Sequence, residues 1–233
     1  MTGQVASRTE VGLVRRRNED ALYVGTHLFA VADGLGGHVA GDMASQTAID
    51  ALAAYDRPVQ PSDLRDHLGR AVAAADLAIR RRISDEPGLA GMGTTLVALL
   101  RSGPAAVLAN VGDSRAYLLP GGSTSGHRAV RITEDHTYQH VVSAAWRVPD
   151  LPEKLARFLD GRVDGRSPDL IRLSSNVGDR LLLCTDGLSS YVDDELIHQG
   201  LAQESADGAV AQLVQSAMDN GGPDNVTVLV LDI

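Results

Sequence analysis

Apolar positions in this chain alternate with polar ones in short bursts, and between the bursts they recur every three to four residues. The first pattern marks strands and the second marks amphipathic helices. Residues 5–11, 21–25 and 27–32 therefore read as strands. Residues 38–55 read as a helix, with Ala44, Thr47, Ala48, Ala51 and Leu52 on one face. Pro61-Ser62 opens a second helix with Ser62 as its N-cap. Its stripe of Leu64, Leu68, Ala71, Val72, Ala75, Ile79 and Ile83 runs to about residue 84. Strands follow at 93–100, 105–110, 115–119 and 128–132, separated by turn sequences such as Ser102-Gly103-Pro104 and Gly121-Gly122-Ser123. Residues 136–166 are irregular and rich in Pro and Gly, with candidate helices at 137–146 and 153–159. Strands at 170–173, 180–184 and 225–232 and helices at 192–201 and 206–218 complete the pattern. Strands in consecutive groups with helices gathered between them predict an α+β layered domain, not alternating βαβ units.

Composition narrows the function classes. A chain of 233 residues that is 44% hydrophobic suffices for one sizeable core, so a single domain over 1–233 is expected. Only 3% of residues are aromatic, which leaves Val, Leu, Ala and Ile to build that core. A net charge of −9 argues against nucleic acid and against a polybasic membrane anchor. The lone Cys184 rules out an intrachain disulfide and fits a reducing compartment. With no apolar leader and no run long enough to span a bilayer, the expectation is a soluble, cytoplasmic monomer.

Acidic residues stand at the edges of the most apolar runs. Four stations stand out: Glu19-Asp20, Asp33-Gly34 after FAVA, Asp186-Gly187 after LLLCT, and Asp224-Asn225 before VTVLVL. One Asp-Gly pair alone is most simply a turn, because Asp hydrogen-bonds its own backbone and Gly accepts positive φ. Four of them, each beside a buried-looking strand, suggest carboxylates that converge in space. Uncompensated carboxylates repel one another unless hard cations neutralise them, and Mg²⁺ or Mn²⁺ suits an all-oxygen site. Asp113, in NVGDSRAY, is a fifth acid in such a setting, either an Asx turn or a ligand.

The segments SRTEVGLVRRRNEDA, FAVADGLGGHVAGDMAS, GMGTTLVAL, ANVGDSRAYLL, ITEDHT, GDRLLLCTDGL and GGPDNVTVLV occur in that order. In them the chain resembles the metal-dependent protein serine/threonine phosphatases, the type 2C family, in its bacterial form. The resemblance implies a four-layer αββα sandwich of two mostly antiparallel sheets flanked by helices, with a dinuclear metal site at one end. It implies Asp33 as the bridging ligand of two Mg²⁺ or Mn²⁺ ions, the Gly34 carbonyl on one of them, and Asp186 and Asp224 on the other. Glu19 and Asp20 would hold or orient water at the ions, and Asp113 would bind a third, weaker ion together with Asp186. Two such ions activate water and neutralise charge in an in-line displacement, which suits phosphate monoester hydrolysis.

Arg15, four residues before Glu19, falls where the family places a phosphate-binding arginine; its guanidinium fork suits phosphate oxygens, and the alternative is a solvated charge. The expectation is that Arg15 contacts phosphate and neither cation. His38, in GLGGH, is either a proton donor to the leaving alkoxide or a structural, helix-capping histidine, since Leu35 occupies the position where eukaryotic relatives carry their acid histidine. His136 matches a motif of structural role. Cys184 reads as core, because CTDGLSS lacks the arginine a cysteine-nucleophile phosphatase needs. Residues 137–169 depart from the bacterial pattern as an atypical flap containing Trp146 and Arg157, where Asp150, Asp160 and Asp164 are further candidate ligands. The function implied is hydrolysis of phosphoserine and phosphothreonine in cytoplasmic proteins, with Hanks-type kinases and their substrates as partners. The alternatives are a non-catalytic phosphoprotein-binding pseudophosphatase and a dinuclear hydrolase of another ester.

Overall fold

The computed structural model describes residues 4–35, 40–122, 126–138, 155–162 and 167–233. Eleven strands among them form two antiparallel sheets. One sheet has the order β1 (Val5–Glu10), β11 (Val226–Asp232), β10 (Arg180–Cys184), β7 (Arg115–Leu119), β8 (Val130–Arg131). The other runs β2 (Asp20–Val24), β3 (Leu28–Leu35), β5 (Leu96–Ser102), β6 (Ala105–Val111), β9 (Asp169–Ser174), with the two-residue β4 (Gly93–Thr94) on the end of β3.

Strand parity explains the layers. In β3, Leu28, Ala30 and Ala32 pack with helices α1 (Gly41–Ala53) and α2 (Leu64–Asp85), whereas Phe29 and Val31 face the other sheet. In β10 and β11, Leu182, Cys184, Val226, Val228 and Val230 pack with α3 (Asp186–Ser189), α4 (Asp194–Leu201) and α5 (Ala206–Asp219). Leu181, Leu183, Leu229 and Leu231 meet Phe29, Val31, Val97 and Leu99 in the middle layer. The central strands are covered on both faces, so β3, β5 and β10 run apolar at successive positions, whereas the edge strands β1, β8 and β9 are partly exposed. The expected αββα sandwich is the observed one.

Several local expectations differ from what the chain does. Ser62 does not cap α2: the N-cap is Asp63, to which the Ser62 hydroxyl donates, and no side-chain cap bond is made. Residues 93–100 divide into β4 and β5. Of residues 153–159, the described ones form isolated bridges at Leu155 and Leu159 instead of a helix, because Leu159 exchanges backbone hydrogen bonds with Thr94. His38, Trp146, Asp150, Asp164 and residues 139–146 of the expected helix at 137 lie outside the described residues.

Candidate metal centre

Antiparallel pairing brings the acidic stations to one end of the sandwich. Asp20 begins β2 and lies in register with Asp33 near the end of β3. By parity both face the middle layer, Asp20 with Leu22 and Asp33 with Val31. Asp113 follows β6, Asp186 follows β10 and Asp224 precedes β11, so all three join that same end.

These residues are partly buried, and their carboxylates crowd one another. Burial and the Asp20 and Asp186 charges push Asp33 well up from the ordinary carboxylate value. Burial lifts Asp20 to about 7 against two hydroxyl hydrogen bonds that pull it down, and the charges of Asp186 and Asp224 add to the rise. Burial and Asp186 put Asp113 at about 7 as well. Asp186 is raised mainly by burial, and it shares a hydrogen bond with Asp33. Like charges forced together favour the neutral form of some of them, and a divalent cation relieves the same repulsion.

A cation fits the donor set. Asp20 Oδ1 and Asp186 Oδ1 are buried with no hydrogen-bond donor, which leaves two anionic oxygens unsatisfied within the cluster. Gly34 sits where a side chain has no room, since a Cβ there would lie 2.0 Å from the Gly41 carbonyl oxygen. Among the described residues no three His, Cys, Asp or Glu side chains converge tightly enough to hold one ion alone.

A frame of hydroxyls and amides that the sequence did not reveal holds these acids. Thr227 Oγ1 and Thr185 Oγ1 donate to Asp20 Oδ2 at 2.6 and 2.9 Å, and Thr9 in turn contacts Thr227 at 2.8 Å. Asp33 is gripped through its backbone: its N–H donates to Thr95 Oγ1 at 3.0 Å, and its carbonyl accepts from Thr94 Oγ1 at 2.8 Å and Thr95 N–H at 2.9 Å. The Glu19 carbonyl accepts from Ser45 Oγ at 2.6 Å, and its carboxylate lies over Gly41 at the start of α1. The one available signal was a set of Thr residues inside apolar strands, in register across β1 and β11.

Arg15 is joined to the cluster instead of standing apart from it. Its Nη2 donates to Asp224 Oδ2 at 2.7 Å, and that hydrogen bond is the main reason its pKa is raised. Arg115 forks onto Asp135 at 3.1 and 2.8 Å and donates to the Ser189 carbonyl at 2.9 Å, tying the Asp113 loop to α3. His136 Nδ1 accepts the Gly112 N–H at 3.1 Å, so its Nε2 is the donor to Asp169 Oδ2 at 3.0 Å. Burial lowers its pKa, and this neutral histidine fixes the Asp113 loop from behind. Asp160 Oδ1 accepts the Arg162 N–H at 3.1 Å, and Leu159 before it pairs with Thr94. Cys184 is buried in the core between sheet and helices.

This sandwich and its acidic end have the fold of the metal-dependent phosphatases. Residues 15–226 match the family model of protein phosphatase 2C, and the chain belongs to that family. It is 41% identical over 237 residues to the serine/threonine protein phosphatase PstP of Mycobacterium tuberculosis, covering 98% of this chain and 44% of that protein. The chain thus spans less than half the length of that relative. It is 32% identical over 244 residues to the serine/threonine phosphatase stp of Listeria monocytogenes, covering 97% of this chain and 94% of that one. The crystal structure of M. tuberculosis PstP/Ppp superposes with a TM-score of 0.91 at 40% identity, over 100% of this chain and 99% of that one. The catalytic domain of PstP in complex with two manganese ions gives 0.89 at 41% identity, over 99% and 98%. No helix among the described residues is long and apolar enough to cross a membrane.

Proposed function

We propose that this chain is a protein serine/threonine phosphatase domain that hydrolyses phosphoserine and phosphothreonine with two bound Mg²⁺ or Mn²⁺ ions. The observation that carries the reading is the crowd of mutually repelling carboxylates at one end of the sandwich, with the buried Oδ1 atoms of Asp20 and Asp186 lacking any donor. Asp33, the Gly34 carbonyl, Asp186 and Asp224 would hold the ions, with Glu19 and Asp20 behind them. When bound, the ions supply Lewis acidity and an activated water. The chain's own residues do the rest: Thr185 and Thr227 orient Asp20, Thr94 and Thr95 fix the Asp33 backbone, and Arg15 offers its guanidinium to the phosphate. Asp113, with Asp186 as neighbour, is the candidate for a third, weaker ion. His38 remains the candidate proton donor.

The substrates would be cytoplasmic phosphoproteins, including Hanks-type kinases and their targets by family resemblance, and the domain would act as a monomer. The pseudophosphatase reading loses ground because every acidic station is kept. The test is hydrolysis of p-nitrophenyl phosphate and of a phosphothreonine peptide with Mn²⁺ or Mg²⁺, with and without EDTA. Metal-dependent turnover of the peptide is expected. Peptide binding without turnover would favour the non-catalytic alternative.

A further inference from the structure

Residues 11–19 carry Arg15 and Glu19 but form no strand. They run along the turn before β11 as a seam. Leu13 N–H donates to the Gly222 carbonyl at 2.7 Å. Gly12, at φ 81, passes so close that a Cβ would lie 2.2 Å from the Asp224 carbonyl oxygen. In the middle of the seam is the Asn225 side chain, only 6% exposed. Its Nδ2 donates to the Val11 carbonyl at 2.9 Å and to the Arg17 carbonyl at 2.8 Å, and its Oδ1 accepts the Glu19 N–H at 2.8 Å. One amide thus grips the loop before Arg15, after Arg15 and at Glu19.

The Arg15 side chain is 55% exposed and, among the described residues, donates to Asp224, the neighbour of Asn225. That bond holds the tip of its guanidinium, and Asn225 holds the backbone on either side of it. Both Nδ2 hydrogens and the Oδ1 of Asn225 are engaged with main chain, so the amide acts on the loop and not on a ligand.

We infer that Asn225 is a positioning residue for phosphate recognition: it sets the loop that presents Arg15 beside the Asp224 carboxylate. Buried amides that satisfy several main-chain groups at once fix a loop in one geometry, whereas a lost partner leaves backbone groups unpaired. The role given to Arg15 rests on the phosphatase reading; the seam does not.

The test uses Asn225→Ala and the near-isosteric Asn225→Asp. The aspartate keeps an acceptor for the Glu19 N–H but turns an oxygen toward the Val11 and Arg17 carbonyls. Hydrogen exchange of residues 11–19, measured without substrate, should accelerate about tenfold or more in both variants. KM for a phosphothreonine peptide and the dissociation constant of inorganic phosphate should each rise about tenfold, with a smaller change in kcat. Calorimetric Mn²⁺ affinity should change by less than about threefold in Asn225→Asp, which keeps Asp224 and an acceptor for the Glu19 N–H. The variant Arg15→Ala/Asn225→Ala should bind phosphate no more weakly than Arg15→Ala, since Asn225 acts through Arg15. A merely structural asparagine would change phosphate affinity by a factor that multiplies with that of Arg15→Ala. Unchanged exchange in a folded Asn225→Asp protein, or multiplicative phosphate effects, would overturn the inference. If wild-type protein hydrolyses neither substrate, the phosphatase reading fails by itself, and exchange together with phosphate binding still decides the role of Asn225.

Discussion

Replacing Arg15 by Ala separates phosphate recognition from folding, because the structure puts different magnitudes on the two. The Arg15–Asp224 contact is a single 2.7 Å hydrogen bond between side chains that are 55% and 21% exposed. An ion pair so open to water is worth about 0–1 kcal/mol to the fold. Arg15→Ala should therefore lower the melting temperature by no more than about 2–4 °C for a chain of this size. A guanidinium that forks onto substrate phosphate is another matter, at about 1.5–3 kcal/mol, or roughly ten- to a hundredfold in kcat/KM. Most of that loss should fall on KM, because the contact already exists in the ground state. Arg15→Lys should recover part of it, keeping the charge without the fork. Arg16→Ala and Arg17→Ala serve as controls and should change little. Because Arg15 shares Asp224, removing it takes a positive charge away from a candidate cation ligand, so Mn²⁺ affinity should stay level or rise a fewfold. The assay is steady-state kinetics on a phosphothreonine peptide, with thermal unfolding and Mn²⁺ titration of the same proteins. A KM within threefold of wild type, or a drop in melting temperature above about 8 °C, would refute the reasoning.

Three further outcomes follow from the site and its surroundings. Asp33→Ala should abolish turnover at any Mn²⁺ concentration while leaving the melting temperature equal or higher, since one repelling carboxylate is gone; near-normal turnover at saturating Mn²⁺ would remove Asp33 from the centre. Thr227→Val takes the 2.6 Å hydroxyl from Asp20 and should cut kcat about tenfold with little change in stability, Thr227→Ser restoring most of it; equal kcat in the Val protein would deny the hydroxyl a role. At the far end of β3, Asp56 accepts from Thr26 and His27 N–H at 2.8 Å, Leu28 N–H at 3.2 Å and the Tyr23 hydroxyl at 3.1 Å. Burial raises its pKa, but those bonds outweigh it and the net shift is downward. Its stabilisation is therefore complete above the unfolded value of about 3.9 and is lost as pH falls through the lower native value. Asp56→Ala should cost about 2 kcal/mol in urea unfolding at pH 7 and less at pH 3, with turnover at pH 7 intact; an equal cost at both would mean the charge is not what matters.

The layers were legible because the central strands are covered on both faces, so strands such as 28–32 and 181–184 announce themselves as unbroken apolar runs. The ends of those strands were not. Asp33-Gly34 reads as a turn, yet β3 continues to Leu35 because Gly34 and Leu35 pair with Thr94 and Gly93 of β4, some sixty residues away. Asp186-Gly187 likewise opens α3 instead of a turn, and Gly187 is needed because a Cβ would lie 1.9 Å from the Asn225 carbonyl oxygen. Both glycines were visible; the long-range approach that requires them was not. Residues 153–159 carry a helical spacing of apolar side chains, but where they are described the edge of β4 offers backbone partners that a local pattern cannot anticipate.

The same division runs through the site. A carboxylate beside a buried strand is costly unless something compensates it, so Asp33, Asp186 and Asp224 stand out against their neighbours. Thr185, Thr227 and Thr95 do not, since Thr is an ordinary strand residue and its hydroxyl matters only once register sets it on an acid. Asn225 was visible only as part of a turn. Yet it is this neutral frame that decides what the acids can do. Asp20 has one oxygen saturated by two hydroxyls and the other left bare, so its orientation is fixed before any cation arrives. Preorganisation of that kind moves the cost of crowding charges into folding, where two packed helical layers and a shared core offset it.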